Sequence, residues 1–221
     1  VFYALQTLAQ MDFHEKQVAL VNIKDQPAYS FRGFLLDVGR NYQPMSMLKE
    51  QIDVMAKYKL NVLHFHFTED IAWRLESKKY PGLTAAGNMT RWAGEYYTVA
   101  EFQELIDYCQ ERHILFLPEI DMPGHSAAFE RFFKVNMQSE EGIVYIKDLL
   151  KEFAETFPTL KQLHIGGDEV KISNKQFMPE ITKYVESLGF KTYGWDPGSN
   201  LEPSTVRQMW MGGPKAIDPH L

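Results

Sequence analysis

Six short runs of β-type residues alternate with helical patterns along this chain, and that alternation limits the fold more than any other feature. The runs are FRGFLLDV (31–38), NVLHFHF (61–67), ILFLPEI (114–120), LKQLHIG (160–166), FKTYGW (190–195) and VRQMWM (206–211). Between the first two, residues 46–59 place Leu48, Ile52, Met55 and Ala56 on one helical face. Residues 98–113 do the same with Phe102, Leu105, Ile106 and Cys109, and they open with Thr98 and Glu101 in the spacing of a capping box. Helical patterns also cover 142–157 and 174–189. Strand, helix, strand in this order predicts parallel strands with helices packed outside.

Two parallel architectures compete. An open doubly wound sheet concentrates its site at one switch point. A closed barrel brings every strand end to one mouth. Polar and aromatic residues cluster at the C-terminal ends of at least five of the runs: Asp37 and Arg40, Glu69 and Asp70, Asp121 and His125, Asp168 and Glu169, Trp195 and Asp196. No Gly-rich phosphate loop follows the first strand, which weakens the nucleotide-binding alternative. The expected class is therefore α/β, a (β/α)8 TIM barrel that is incomplete, with about six of its eight strands present. Little or no helix separates the last two runs.

The 221 residues are 45% hydrophobic, enough to bury a core. A net charge of −6 argues against a nucleic-acid partner, because phosphate binding wants a basic face. The single cysteine, Cys109, cannot form an internal disulfide and reads as a small core residue. No apolar run approaches the roughly 20 residues of a membrane span. Residues 22–30 read as a connector. VFYALQTLAQ begins without Met inside a helical pattern, so a piece of a longer protein is expected, and a missing leader says little about location.

QLHIGGDEV (162–170) carries the strongest chemical signal. Gly166 and Gly167 allow a tight turn after the strand. Asp168 and Glu169 then stand side by side, although neighbouring carboxylates repel. An isolated Asp-Glu pair reads as a helix cap beside a solvated side chain. At a strand tip, in a chain whose other strand tips carry acids and a histidine, catalysis is the better reading. A rival is a metal-dependent hydrolase: His64 and His66 share a strand face, and His164 offers a third imidazole. That pair lies on the second strand rather than the first, and no bridging lysine is evident.

Several motifs together resemble the family 20 glycoside hydrolases, the β-N-acetylhexosaminidases. They are RGFLLDVGRNYQP (32–44), LKEQIDVMAKYKLNVLHFHFTED (48–70), WRLESKKYPGLT (73–84), FLPEIDMPGHSAAF (116–129), HIGGDEV (164–170), GWD (194–196) and QMW (208–210), in that family's order. The resemblance also accounts for HFHFTED without a metal, and it implies no cofactor. It implies a substrate-assisted mechanism, in which the sugar's own 2-acetamido oxygen attacks the anomeric carbon. Glu169 would be the acid and then the base. Asp168 would hold the acetamido N–H and steady the positive charge that develops there. His125 would relay between an acid and Glu169.

By the same resemblance, Arg40 would grip sugar hydroxyls, and Trp195 and Trp210 would wall the acetamido pocket and the sugar face. Asp121 would support the site or touch sugar. Glu69 stands where the family commonly has an aspartate paired to the histidine, so either Glu69 or Asp70 is expected as its partner. IAWR replaces the more usual Gln-Gly-Trp-Arg. A tyrosine–aspartate pair and a Trp-x-Glu, which belong to the family's last two strands, have no match before Leu221. Residues 1–22 look like the end of a preceding small α/β domain, and 23–221 like the partial barrel. The implied partner is an N-acetylhexosamine-containing glycan, and a secreted or periplasmic parent is the corresponding expectation. A non-catalytic sugar-binding relic is the other alternative.

Overall fold

The computed structural model describes residues 1–11, 20–198 and 200–212. All six runs form strands: β1 (Gly33–Asp37), β2 (Val62–His66), β3 (Leu115–Glu119), β4 (Gln162–His164), β5 (Lys191–Asp196) and β6 (Val206–Met209). They make one sheet in the order β1-β2-β3-β4-β5-β6, and every neighbouring pair is parallel. The helices are α1 (Phe2–Ala9), α2 (Met45–Lys57), α3 (Val99–Glu111), α4 (Ala127–Phe133), α5 (Glu140–Thr156) and α6 (Phe177–Ser187). Among the described residues no helix joins β5 to β6, as expected. The short α4 was not foreseen.

Side-chain contacts show that the sheet curls. In a flat sheet, four strand spacings of about 4.8 Å would separate β2 from β6. Yet Gln208 Nε2 on β6 lies 3.3 Å from His64 Nδ1 on β2, and the Trp195 ring on β5 stacks 5.3 Å from that of His64. The strands thus form an incomplete barrel whose concave face gathers side chains from distant strands. The expected remnant at 1–22 includes residues 12–19, and the expected barrel segment includes 213–221; both stretches lie outside the described residues.

The helices form where the apolar spacing predicts. Leu48, Ile52, Met55 and Ala56 of α2 are buried, as are Phe102, Leu105, Ile106 and Cys109 of α3. The capping box is complete: Glu101 N donates to Thr98 Oγ1 at 3.2 Å, and Thr98 N donates to the Glu101 carboxylate at 2.9 Å. Burial pushes the Cys109 thiol up to about 12, consistent with a core residue. The convex face of β2 and β3 packs on α3 and α5 through Phe65, Phe67, Phe102, Phe116, Phe153 and Phe157. Paired rings in this cluster stand 5.0 to 6.3 Å apart. Each such ring withdrawn from water contributes about 1.5–3 kcal/mol.

β1 is open to solvent over part of its length. Phe34 and Leu35 are exposed, because β1 is an edge strand whose only partner among the described residues is β2. The long β2–α3 connection is organised by Arg74, a fully buried cation. Its guanidinium donates to the carbonyls of Val38, Gly39, Arg91, Trp92 and Glu95. This fixes the end of β1 immediately before Arg40. No helix among the described residues is long and apolar enough to cross a membrane.

Candidate active site

The tips of β1 to β4 converge on His125. Its Nδ1 lies 2.6 Å from Glu69 Oε1, and its Nε2 lies 3.6 Å from Asp168 Oδ2 and 3.5 Å from Glu169 Oε2. Arg40 Nη2 reaches the same Glu69 oxygen at 2.5 Å, while its Nη1 pairs with Asp37 at 2.6 Å. One carboxylate therefore joins the exposed arginine to the imidazole. Of the two expected partners for His125, the structure places Glu69 there. Asp70 turns away and accepts from Ala127 N at 2.9 Å, which caps the start of α4.

The charges are balanced by contact. Asp168 first, then Glu69, lift the His125 imidazole to about 11, against the opposing effect of burial. Burial would push the Glu69 carboxyl up, but the hydrogen bond and charge of His125, with the charge of Arg40, outweigh it and the net shift is downward. His125 is thus an imidazolium held between acids. The Asp168 side chain is 16% exposed and that of Glu169 is 56% exposed, so the adjacent acids occupy different surroundings. No helix follows directly, so Asp168 is not a helix cap.

The backbone that presents these groups is strained. His125 and Glu169 both adopt the left-handed region, at φ 48° and 49°. Non-glycine residues are uncommon there and concentrate at functional sites. Gly166 turns the chain at φ 69°, and a Cβ on it would stand 1.7 Å from Asp121 Oδ1. Asp121 accepts from Gly167 N at 3.2 Å and so clamps the turn before the acid pair. Burial, then the charges of Glu119 and Asp168, push the Asp121 carboxyl well above the usual carboxylate range.

Deeper on the concave face is a second polar cluster, centred on Glu119. One oxygen, Oε2, stands 2.7 Å from His64 Nε2 and 3.0 Å from His66 Nδ1. The other, Oε1, accepts from Trp195 Nε1 at 2.7 Å and lies 3.2 Å from His164 Nδ1. Burial opposes ionisation, but the charges of His164, His66 and His64 hold the Glu119 carboxyl well below its usual range. Burial would depress His66; Glu119 raises it to about 9 instead. For His164 burial wins and the shift is downward. The three imidazoles that suggested metal ligands thus gather around a carboxylate. Glu119 had no assigned role in the sequence, although an acid inside the apolar run LFLPEI was a visible signal.

Trp195 is half-buried and its side chain packs on the inner cluster, with its ring 4.7 Å from that of His164. Trp210 follows β6, half-buried, and donates from Nε1 to Pro197 O at 2.7 Å. The profile of the glycosyl hydrolase family 20 catalytic domain matches residues 29–134 and 130–209. This chain belongs to glycosyl hydrolase family 20. It is 33% identical to a β-hexosaminidase of Porphyromonas gingivalis over 96% of its own length and 35% of that protein's. The crystal structure of a β-N-acetylhexosaminidase from Bacteroides fragilis superposes with a TM-score of 0.82 at 30% identity, covering 93% of this chain and 50% of that one. A mutant Streptomyces plicatus β-hexosaminidase in complex with its product GlcNAc superposes at 0.76 with 28% identity, over 89% and 45% of the two chains. The family 20 chain described here thus spans half or less of the length of these relatives.

Proposed function

We propose that the protein carrying this chain is a retaining β-N-acetylhexosaminidase that releases terminal GlcNAc or GalNAc by substrate-assisted catalysis. The observation that carries the reading is the asymmetry of the acid pair. Both carboxylates reach within 3.6 Å of His125 Nε2, but the Asp168 side chain is 16% exposed and that of Glu169 is 56% exposed. Glu169, protonated, gives its proton to the glycosidic oxygen as the bond to the anomeric carbon breaks. The acetamido oxygen of the same sugar forms the new bond to that carbon, and the positive charge spreads over the resulting ring. Asp168 accepts the acetamido N–H and stabilises that charge as an ionised acceptor. Water then attacks the anomeric carbon, Glu169 takes its proton, and the acetamido C–O bond opens. The anomeric configuration is retained because it has been inverted twice.

Arg40 supports the sugar from the β1 tip, where a planar guanidinium can engage neighbouring hydroxyls. The GlcNAc in the Streptomyces plicatus complex is the kind of product this reading assigns to the present protein. The test is steady-state hydrolysis of an aryl N-acetyl-β-glucosaminide by the protein that carries this chain. Glu169→Gln lowers kcat by about 10²–10⁴-fold, the usual contribution of a positioned proton donor. Wild-type turnover in that variant, or equal cleavage of an aryl β-glucoside lacking the acetamido arm, sinks the proposal.

A further inference from the structure

A (β/α)8 barrel ordinarily fills its interior with branched apolar side chains. Here the concave face carries Glu119, His64, His66 and His164, all buried. A buried carboxylate needs a full set of partners to offset its lost hydration, and apolar residues of similar volume would often serve stability as well. The cluster therefore calls for a reason other than stability. Its partners identify one. Three of them are imidazoles on β2 and β4 that stay inside. The fourth, Trp195, alone extends from Glu119 to the partly exposed end of β5.

An indole N–H can only donate, so one hydrogen bond and the stack against His64 and His164 fix the plane of the ring. We infer that Glu119 is a positioning residue: by accepting the Trp195 indole N–H it sets the wall against which the substrate's N-acyl arm is held, and so sets which acyl group fits. The inference rests on the proposed hexosaminidase reading for its substrate and on the observed contacts for its anchor. Glu119 accepts the indole N–H at Oε1, while Oε2 stands 2.7 Å from His64 Nε2 and 3.0 Å from His66 Nδ1. A glutamine oxygen is a neutral and weaker acceptor than the carboxylate, and its N–H can turn to a neutral imidazole or to the indole, so the indole loses a charge-assisted hydrogen bond in either orientation.

The experiment compares aryl glycosides bearing N-acetyl and N-propionyl arms in wild type, Glu119→Gln, Trp195→Phe and the double variant. One extra methylene in an apolar pocket is discriminated by about 10–200-fold, and the expected change is a fall of that preference to about threefold or less in either single variant. The double variant relaxes no further than Trp195→Phe alone. This ratio does not depend on the fraction of folded protein, so a purely structural role for Glu119 lowers both rates together and leaves the preference at its wild-type value. That outcome overturns the inference.

A second readout is independent of activity. The indole N–H of Trp195, assigned by its loss in Trp195→Phe, exchanges slowly with solvent in wild type and rapidly in Glu119→Gln. If Glu119→Gln does not fold, Glu119→Asp, which keeps the charge but draws the carboxylate back by one methylene, is the second variant: faster indole exchange supports the anchor, and wild-type protection overturns it. A wild-type protein that cleaves neither glycoside refutes the hexosaminidase reading. In that case the exchange rate alone decides the anchor, and unchanged protection in Glu119→Gln ends it.

Discussion

Glu119 and Asp121 stand two residues apart at the end of β3, and each is about as buried as a side chain can be, at 0% and 1% exposure. Their titrations nevertheless move in opposite directions. Glu119 is surrounded by His64, His66, His164 and the Trp195 N–H, and its carboxyl is held far down. Asp121 faces Glu119 and Asp168, and its carboxyl is held far up. Burial opposes the charge in both places. What separates them is the sign of the neighbours, which burial makes more effective. The same distinction divides the molecule into two regions. The inner cluster is closed on itself around one carboxylate. The mouth cluster, from Arg40 through Glu69 and His125 to Asp168 and Glu169, ends in groups that still face solvent.

The sharpest way to break this comparison is at Asp168, which faces both His125 and Asp121. Asp168→Asn removes the charge proposed to steady the acetamido cation and lowers kcat by about 10²–10³-fold. It also removes one of the charges that raise Asp121, so the Asp121 carboxyl titrates at lower pH in carbon-detected NMR. An unmoved Asp121 would show that the two acids do not sense each other.

A smaller effect is expected at Gly166. Gly166→Ala forces a side chain into left-handed backbone and onto the Asp121 carboxyl, whereas Gly189→Ala meets only the backbone strain, at φ 94° with nothing within 4 Å. Urea unfolding should show a loss of about 1–3 kcal/mol for Gly189→Ala from strain alone, and a larger one for Gly166→Ala. Equal losses would mean that the Asp121 clamp contributes nothing.

The mildest test is the pH dependence of stability. His66 and His125 titrate higher in the folded state than the 6.5 of an ordinary imidazole, at about 9 and about 11. Their contributions are complete below pH 6.5. They diminish as pH rises, because the unfolded imidazoles release protons that the folded ones keep. The His66 contribution is exhausted by about pH 9 and the His125 contribution by about pH 11. His125→Asn, a residue that tolerates left-handed backbone, should flatten the decline between pH 9 and 11, leaving the part that the buried Cys109 thiol contributes up to about pH 12. His66→Gln should leave that upper part intact. The reverse pattern would exchange the roles assigned to the two regions.

Much of the fold was legible because period and punctuation agree. The six strands, the α2 and α3 faces and the Thr98–Glu101 cap follow from local patterns, and each is present. Helix α4 was hidden because it is only seven residues long and has no side-chain cap bond on its own N-cap residue. Asp70, from another loop, supplies that bond. The choice between Glu69 and Asp70 was illegible for a related reason. Adjacent residues at a strand end differ only in which way the chain turns. Glu119 was visible as an acid in an apolar run, but its meaning depends on Trp195, 76 positions away, and on a sheet curvature that no local pattern encodes.

Glu169 and His125 share one backbone property with a consequence for anyone who would redesign this mouth. Both lie in a region of φ that branched and bulky side chains avoid. The repertoire of replacements at these positions is therefore narrowed by the main chain before any question of proton transfer arises. New chemistry grafted here will be accepted from the small set of residues comfortable in that conformation, or will require the loops to be rebuilt first.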